Sequence, residues 1–121
     1  MPRIIEAPTR ITAAGNVPKT IDEYVGRVNS GHTEVSVAHM RSPGGWAEPG
    51  QRPTFREITV VLRGTLQVET QGETLQVPAG RAIVAEPGEW VRYSSPEDDG
   101  AEYVAICLPA FSPDTVNRDP E

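Results

Sequence analysis

The sequence predicts an all-β fold, either a sandwich or a barrel. Short apolar and β-branched runs recur at intervals of roughly 8–12 residues, which is the strand spacing of such folds. The 12 prolines and 11 glycines fall between these runs and are typical of turns rather than of a linker. Two alternating runs, Thr65–Thr70 and Glu73–Val77, flank Gln71-Gly72 and predict a β-hairpin.

The chain is expected to divide into an arm, a central body and a tail. Residues 1–32 form the predicted N-terminal arm, with one short strand around Arg10–Ala13. Ile21–Val28 fits a short helix or a strand, because periodicity over so few residues does not decide between them. Residues 33–110 are expected to form the barrel, and residues 111–121 a polar tail. In that tail, Phe111 and Val116 are expected to fold back over the barrel, with Asn117 or Arg118 near an opening.

Strands of the central body follow from alternation and from the turn residues between them. The segment Ser42-Pro43-Gly44-Gly45 ends the first strand, and Gly64 ends the second. Pro78-Ala79-Gly80 and Glu86-Pro87-Gly88 are turns before two later strands. Besides the hairpin, the predicted strands are Glu34–Arg41, Glu57–Leu62, Arg81–Ala85, Trp90–Ser94 and Ala101–Leu108.

Composition excludes several classes of function. A chain of 121 residues is one domain by size. The net charge of −6 provides no basic stripe for phosphates, so nucleic acid is not expected as a partner. No apolar stretch approaches the roughly 20 residues of a membrane span, and no signal peptide is apparent, so we expect a cytoplasmic protein without membrane contact. The single cysteine, Cys107, excludes an internal disulfide and is expected to be buried.

Two spaced motifs carry a family resemblance. The first reads Gly45-x5-Gln51-x-Pro53-x3-Glu57-x6-Gly64, and the second reads Gly80-x5-Glu86-Pro87-Gly88-x2-Val91-x3-Ser95. These spacings resemble the two motifs of the cupin family, and the resemblance covers about residues 33–110. It implies a single-domain jelly-roll β-barrel (a double-stranded β-helix), and a homodimer. The short Pro- and Gly-rich form is similar to the ethanolamine-utilisation type of cupin.

The resemblance places metal ligands at four positions that hold other residues here. In cupins these positions normally carry His, His, Glu and His, whereas this chain has Gln51, Pro53, Glu57 and Val91. Proline and valine offer no donor atom, and one amide with one carboxylate is too small a set for tight binding of a divalent metal. The sequence therefore predicts no metal and no cofactor. A displaced site using Glu57, His39 and Gln51 is the metal-dependent alternative.

Strand alternation predicts which side chains share the barrel interior. If Glu57 points inward, so do Phe55, Thr59 and Val61, and an inward Val91 position brings Tyr93 inward. His39 and Arg41 share one face of their strand, and the other register would turn Ser36, Ala38 and Met40 inward instead. We favour the His39 face. Glu48 and Trp46 lie in the loop at the barrel mouth, where Trp46 either covers a ligand or seals the barrel end.

The residue types suggest proton-transfer chemistry. A carboxylate among apolar side chains loses hydration, which raises its pKa and suits a general acid or base, whereas a nearby Arg41 would hold it ionised. We therefore predict Glu57, Tyr93 and His39 as catalytic residues, and Gln51, Arg41, Trp46 and Glu48 as ligand-binding residues. Three functions stay open: a metal-independent isomerase, lyase or dehydratase acting on a small polar metabolite, a non-catalytic binding protein, and a metal-dependent cupin with a displaced site.

Overall fold

The computed structural model describes residues 1–120, so Glu121, the last residue of the predicted tail, lies outside the described residues. Nine β-strands make up the regular secondary structure of this part of the chain. They are β1 (Thr9–Ile11), β2 (Thr20–Val25), β3 (Ser36–Ser42), β4 (Trp46–Ala47), β5 (Arg56–Thr70), β6 (Thr74–Pro78), β7 (Ala82–Ala85), β8 (Val91–Ser95) and β9 (Ala101–Leu108). None of residues 1–120 belongs to a helix with the length and hydropathy of a membrane span.

The strands form an antiparallel jelly roll that curls around one long strand. The strand order is β1-β2-β3-β9-β5-β8-β4, with β6 and β7 also paired to β5. The first part of β5 pairs with β9 and β7 in one sheet, and its second part pairs with β6 and β8 in the other. Because one strand serves both sheets, the sheet folds over itself and encloses an interior.

Gly64 marks the bend in β5. We expected it to end a strand, but β5 continues through it from Arg56 to Thr70. The residue has a φ of +70°, and a Cβ at this position would fall on the carbonyl oxygen of Gly100. Glycine is therefore needed at this position, because the backbone is left-handed and two of its segments approach each other closely. The strand continues through the position without a break.

The N-terminal arm extends the first sheet. Ile21–Val28 resolves as strand β2 followed by a turn, and β2 pairs with β1 on one side and β3 on the other. The buried carboxylate of Glu23 accepts hydrogen bonds from the backbone N–H groups of Val28 and Asn29, at 3.0 and 2.9 Å. These bonds close the turn after β2, so the Glu23 carboxylate is bound to the backbone and serves the fold.

Two apolar clusters fill the interior. The larger one contains Trp46, Val61, Leu66, Tyr93 and Tyr103 among its members. The smaller one joins Phe55, Cys107 and Val116, with Phe111 packed against it. The tail therefore folds back over the barrel as predicted, and Cys107 is buried as predicted.

The outer face of the first sheet is also apolar in its middle row. The register places Val37 opposite Ile106, Ile106 opposite Ile58, and Ile58 opposite Val84 across four strands. Because side chains alternate along a strand, an outward Val37 turns Ser36 and Ala38 inward, and both are buried. The interior face of β3 is therefore the Ser36–Ala38–Met40 face.

Candidate functional site

A cavity of about 370 Å³ lies inside the barrel between the sheets, the N-terminal arm and the C-terminal tail. Its walls are mostly apolar, with a few ionisable and hydrogen-bonding side chains. Its polar members include Lys19, Glu48, Gln51, Glu57, Tyr93, Tyr103 and Arg118. An apolar pocket with a few convergent polar groups is the usual form of a small-molecule site.

Glu57 enters this cavity from strand β5. Its alternating neighbours Phe55, Thr59 and Val61 are almost completely buried, so the inward face predicted for this strand is confirmed. The Oε1 atom of Glu57 is shielded from solvent and has no hydrogen-bond partner among residues 1–120. The structure thus holds a carboxyl oxygen inside the barrel that makes no hydrogen bond of standard geometry with the described protein.

Burial shifts the acidity of this carboxyl group. Loss of hydration, reinforced by the negative charge of Glu48, raises the pKa of Glu57 from its usual value of 4.5 to about 7. The positive charge of Lys19 acts in the opposite direction, as does that of Arg118. The neighbouring Tyr93 hydroxyl also favours the carboxylate, although the two groups do not reach the standard geometry of a hydrogen bond. At neutral pH, Glu57 therefore exists in comparable amounts as an acid and as a carboxylate.

Glu48 is the second acid of the cavity. It is 8% exposed, and its Oε2 lies 4.0 Å from Nη2 of Arg118. Burial raises the pKa of Glu48 as well, and the charges of Lys19 and Arg118 oppose that shift. Two buried carboxyl groups that repel each other favour a state in which one of them keeps its proton.

Tyr93 and Gln51 add neutral polar groups to the same wall. The Tyr93 hydroxyl and the Gln51 Oε1 are both buried and have no hydrogen-bond partner in the described part of the chain. Burial, together with the charges of Glu57 and Glu48, raises the pKa of Tyr93 well above its usual range, so the phenol stays protonated. The Gln51 backbone pairs with Val91 on β8, at 2.8 and 2.9 Å, which fixes its position.

His39 and Arg41 lie outside the cavity, which corrects the prediction for β3. His39 Nε2 lies 2.6 Å from Oε2 of Glu102 on the outer face of the sheet. The Arg41 side chain is 57% exposed, with Nη2 3.5 Å from the same Glu102 oxygen. The prediction that they share the interior with Glu57 is therefore wrong, because both faces of β3 carry apolar residues and hydrophobicity alone does not set its orientation.

Trp46 is a core residue. It is 0% exposed, and its indole N–H donates to the carbonyl oxygen of Ala14 at 3.2 Å. Its side chain is not part of the cavity wall, although Glu48 from the same loop is. Of the two interpretations of Trp46, the structure supports the one in which it seals the barrel end, since its side chain does not line the cavity.

Among the polar cavity residues, Lys19 and Tyr103 were not predicted from the sequence, whereas Arg118, which also lines the cavity, was one of two tail residues expected near an opening. Lys19 comes from the segment before β2, and its Nζ donates to the Tyr103 hydroxyl on β9 at 3.0 Å. The one available signal was composition, because Lys19 is the chain's one lysine among 11 basic residues. Nothing local in the sequence connects it to Tyr103, which is 84 residues away.

Comparison with known proteins places the chain in a family. The sequence profile of the cupin domain matches residues 38–107, which is more than half of the chain. The chain belongs to the cupin family. Among curated proteins, the endoribonuclease YbeY of Myxococcus xanthus is 35% identical over 101 residues, which cover 84% of this cupin and 34% of that protein. The cupin thus spans about a third of the length of the curated relative it matches.

Solved structures share the fold at low sequence identity. The polyketide cyclase RemF from Streptomyces resistomycificus is similar to this cupin with a TM-score of 0.78 and 16% identity, covering 100% of this chain and 87% of that one. The EutQ protein of Clostridium difficile gives a TM-score of 0.64 with 20% identity, covering 76% of this chain and 63% of that one. At these identities the likeness shows the jelly roll alone.

The residues of this cupin do not fit the metal that the family fold implies. Of the four ligand positions, Gln51 and Glu57 reach the cavity, while Pro53 and Val91 carry no donor atom. Within residues 1–120, no group of three or more His, Cys, Asp or Glu side chains is arranged to hold a metal ion. His39 pairs with Glu102 and cannot complete the displaced site with Glu57 and Gln51. The donor set is too small for tight binding of a transition metal.

Proposed function

We propose that this cupin is a metal-independent enzyme that transfers a proton on a small polar metabolite, with Glu57 as the acid and base. The reaction class is that of an isomerase, lyase or dehydratase. The observation that carries the proposal is the Glu57 carboxyl group, which faces a cavity of about 370 Å³ and has an oxygen without a protein partner. A carboxyl group that served only the fold would be expected to have its hydrogen bonds satisfied.

The acidity of Glu57 supports proton transfer in particular. A general acid or base works best when its pKa lies near the operating pH, because both protonation states are then accessible. Burial and the charge of Glu48 raise the pKa of Glu57 to about 7. Glu57 is thus suited to remove a proton from one carbon or oxygen of the substrate and to return it to another.

Tyr93 and Gln51 orient the substrate in this proposal. Tyr93 stays protonated because its pKa is raised well above the usual range, so its hydroxyl is a donor at neutral pH. The amide of Gln51 offers one acceptor and two donors on a wall fixed by its backbone pairing with Val91. Glu48 contributes charge, since its carboxylate favours the protonated form of Glu57.

Placement within the ethanolamine-utilisation type of cupin is part of the proposal. Its support is the short Pro- and Gly-rich form of the two motifs and the shared fold with EutQ. This placement does not enter the chemical argument, which rests on the cavity alone.

A ligand screen followed by product analysis tests the proposed activity. Small polar metabolites that raise the melting temperature would be incubated with the wild-type protein, Glu57→Gln and the control Glu73→Gln, which changes an exposed carboxylate. We expect a compound that the wild type and the control consume, and that Glu57→Gln binds but consumes at least ~100-fold more slowly. A compound that all three proteins bind and none consumes would instead identify a binding protein.

A further inference from the structure

Lys19 lies on the cavity wall among neutral groups. Its Nζ donates to the Tyr103 hydroxyl at 3.0 Å, lies 3.5 Å from the sulfur of Met40 and sits 4.0 Å from the centre of the Trp46 ring. The ammonium thus has an aromatic face and a phenol as its close contacts. No carboxylate oxygen of residues 1–120 lies within the 4.0 Å of an ion pair with Lys19.

The Lys19 ammonium has N–H donors that no protein oxygen in the described structure accepts. Lysine carries three N–H donors, and the Tyr103 hydroxyl is the one oxygen acceptor that Lys19 reaches in the described structure. The Tyr103 hydroxyl also bonds Ser42 Oγ at 2.6 Å, so the phenol is held in place beside the ammonium. A fixed hydroxyl and a partly buried cation form a natural binding point for an anionic group.

A second part of the wall holds three buried polar atoms that make no hydrogen bond of standard geometry with the described protein, although two of them, on Glu57 and Tyr93, are neighbours. Gln51 Oε1, Glu57 Oε1 and the Tyr93 hydroxyl are buried polar atoms without a hydrogen-bond partner in residues 1–120. They come from the loop before β5, from β5 and from β8, and all three residues line the same cavity. Buried polar atoms of folded proteins are nearly always paired, so three convergent exceptions indicate hydroxyl groups supplied by a ligand.

We propose that the cavity binds a small hydroxylated carboxylate, with its carboxylate group at Lys19 and Tyr103 and its hydroxyl-bearing carbons beside Glu57, Tyr93 and Gln51. The proposal rests on the proposed function for its site and adds the chemical class of the substrate. The cavity volume of about 370 Å³ equals the share of about a dozen water molecules, which fits a ligand with about a dozen non-hydrogen atoms.

The charges of the cavity favour a single negative charge on the ligand. Glu23, Glu48 and Glu57 are acidic, and Arg118 lies 4.0 Å from Glu48, so Lys19 is the one cation of the wall without a close carboxylate in the described residues. A ligand with two negative charges would meet one unpaired cation and the repulsion of the acids. A monoanion is therefore the matching partner.

Matched pairs of probes test this class. D-gluconate against D-sorbitol and D-glycerate against glycerol differ in the carboxylate while sharing a hydroxylated skeleton. Binding would be measured by thermal shift and titration calorimetry with the wild type, Lys19→Met, Lys19→Arg and the control Arg81→Met, which changes an exposed cation. Circular dichroism of the variants without added ligand verifies that each one folds.

We expect at least one carboxylate to bind the wild type and Arg81→Met, and its alcohol partner to bind much more weakly. Lys19→Met should weaken carboxylate binding by about 10- to 100-fold, as expected for a hydrogen bond to a charged group, and Lys19→Arg should restore part of it. Equal binding by Lys19→Met, equal binding of the alcohols, or no carboxylate binding at all would overturn the inference. A carboxylate that binds through Lys19 without being consumed would contradict the proposed reaction and leave this inference standing.

Discussion

At pH 8, Glu57→Gln is expected to be more stable than the wild-type protein. The wild type must hold Glu57 as a buried carboxylate at this pH, whereas the amide carries no charge to desolvate. A pKa raised from 4.5 to about 7 corresponds to about 3 kcal/mol of stability, at 1.36 kcal/mol for each pKa unit. For a chain of this length, the melting temperature of the variant should be higher by on the order of 10 °C.

The sign of the pH dependence follows from the raised pKa of Glu57. Below about pH 4.5 the group is protonated in both the folded and the unfolded chain, so its contribution to stability is fully present. As the pH rises through about 7, the unfolded chain has already released the proton, and the contribution is lost. The advantage of Glu57→Gln should therefore be near zero at pH 4 and complete at pH 8.

Denaturant unfolding of the wild type, Glu57→Gln and Glu73→Gln from pH 4 to 8 measures this difference. Glu73 is exposed in the β5–β6 turn, so its variant should follow the wild type at every pH. Subtracting the wild-type curve from the variant curve removes the contribution of acids that titrate in both proteins. Asp22 is one of them, and its hydrogen bond with Arg10 lowers its pKa. A Glu57→Gln protein that is equally stable or less stable than the wild type at pH 8 would contradict the account.

Trp46→Ala is expected to cost about 3–5 kcal/mol of stability, the usual loss for truncating a fully buried tryptophan. Trp46 is 0% exposed and belongs to the larger core cluster. Its ring also supports Lys19, whose Nζ lies 4.0 Å from the ring centre, so the same change should loosen the cation. Thermal unfolding should show a fall in melting temperature on the order of 10 °C or more.

Trp90→Ala is the matched control for this loss. Trp90 is half-buried at the surface, where its indole N–H donates to Asp119 at 2.8 Å and its ring covers Gly50. Truncation there should cost distinctly less than truncation of Trp46. If the two variants lost equal stability, or if Trp46→Ala left stability unchanged, the assignment of Trp46 to the core would be wrong.

Much of the fold follows from turn residues and alternation. The bounds of β9 were predicted as Ala101–Leu108 and are found there, because an apolar run from Tyr103 to Leu108 follows an acidic loop ending in glycine. The inward face of β5 was predicted because Glu57 alternates with Phe55, Thr59 and Val61. In β9 the residues around the strand indicate one set of bounds, and in β5 the alternating residues indicate one inward face.

The prediction of the inward face was wrong for β3, because both faces of this strand carry apolar residues. Strand β3 carries Val37 on one face and Ala38 and Met40 on the other, so burial alone permits either register. Val37 joins an outward row with Ile106, Ile58 and Val84, and this row sets which face of β3 points outward. The row depends on pairing between strands that are distant in the sequence. His39 and Arg41 follow Val37 outward for that reason.

Lys19 was missed because its contacts are long-range, and the contact of Arg118 with Glu48 could not be predicted for the same reason. Lys19 comes from the segment before β2 and Arg118 from the tail, and both reach the interior only after the arm and the tail close over the barrel. Glu57 was found because it lies within a spaced motif on a strand with clear alternation. Sequence patterns thus identified the acids Glu57 and Glu48, whereas the position of the cation Lys19 beside them depends on tertiary structure.

A direct titration of Glu57 tests the central claim, which is that the carboxyl group of Glu57 is held in the barrel interior at a near-neutral pKa. The side-chain carboxyl carbon would be followed by ¹³C NMR between pH 4 and 9, with Glu57→Gln used to assign the resonance. The account predicts a midpoint at about 7. A midpoint at or below the usual 4.5 would show a hydrated or ion-paired carboxylate and would contradict the account.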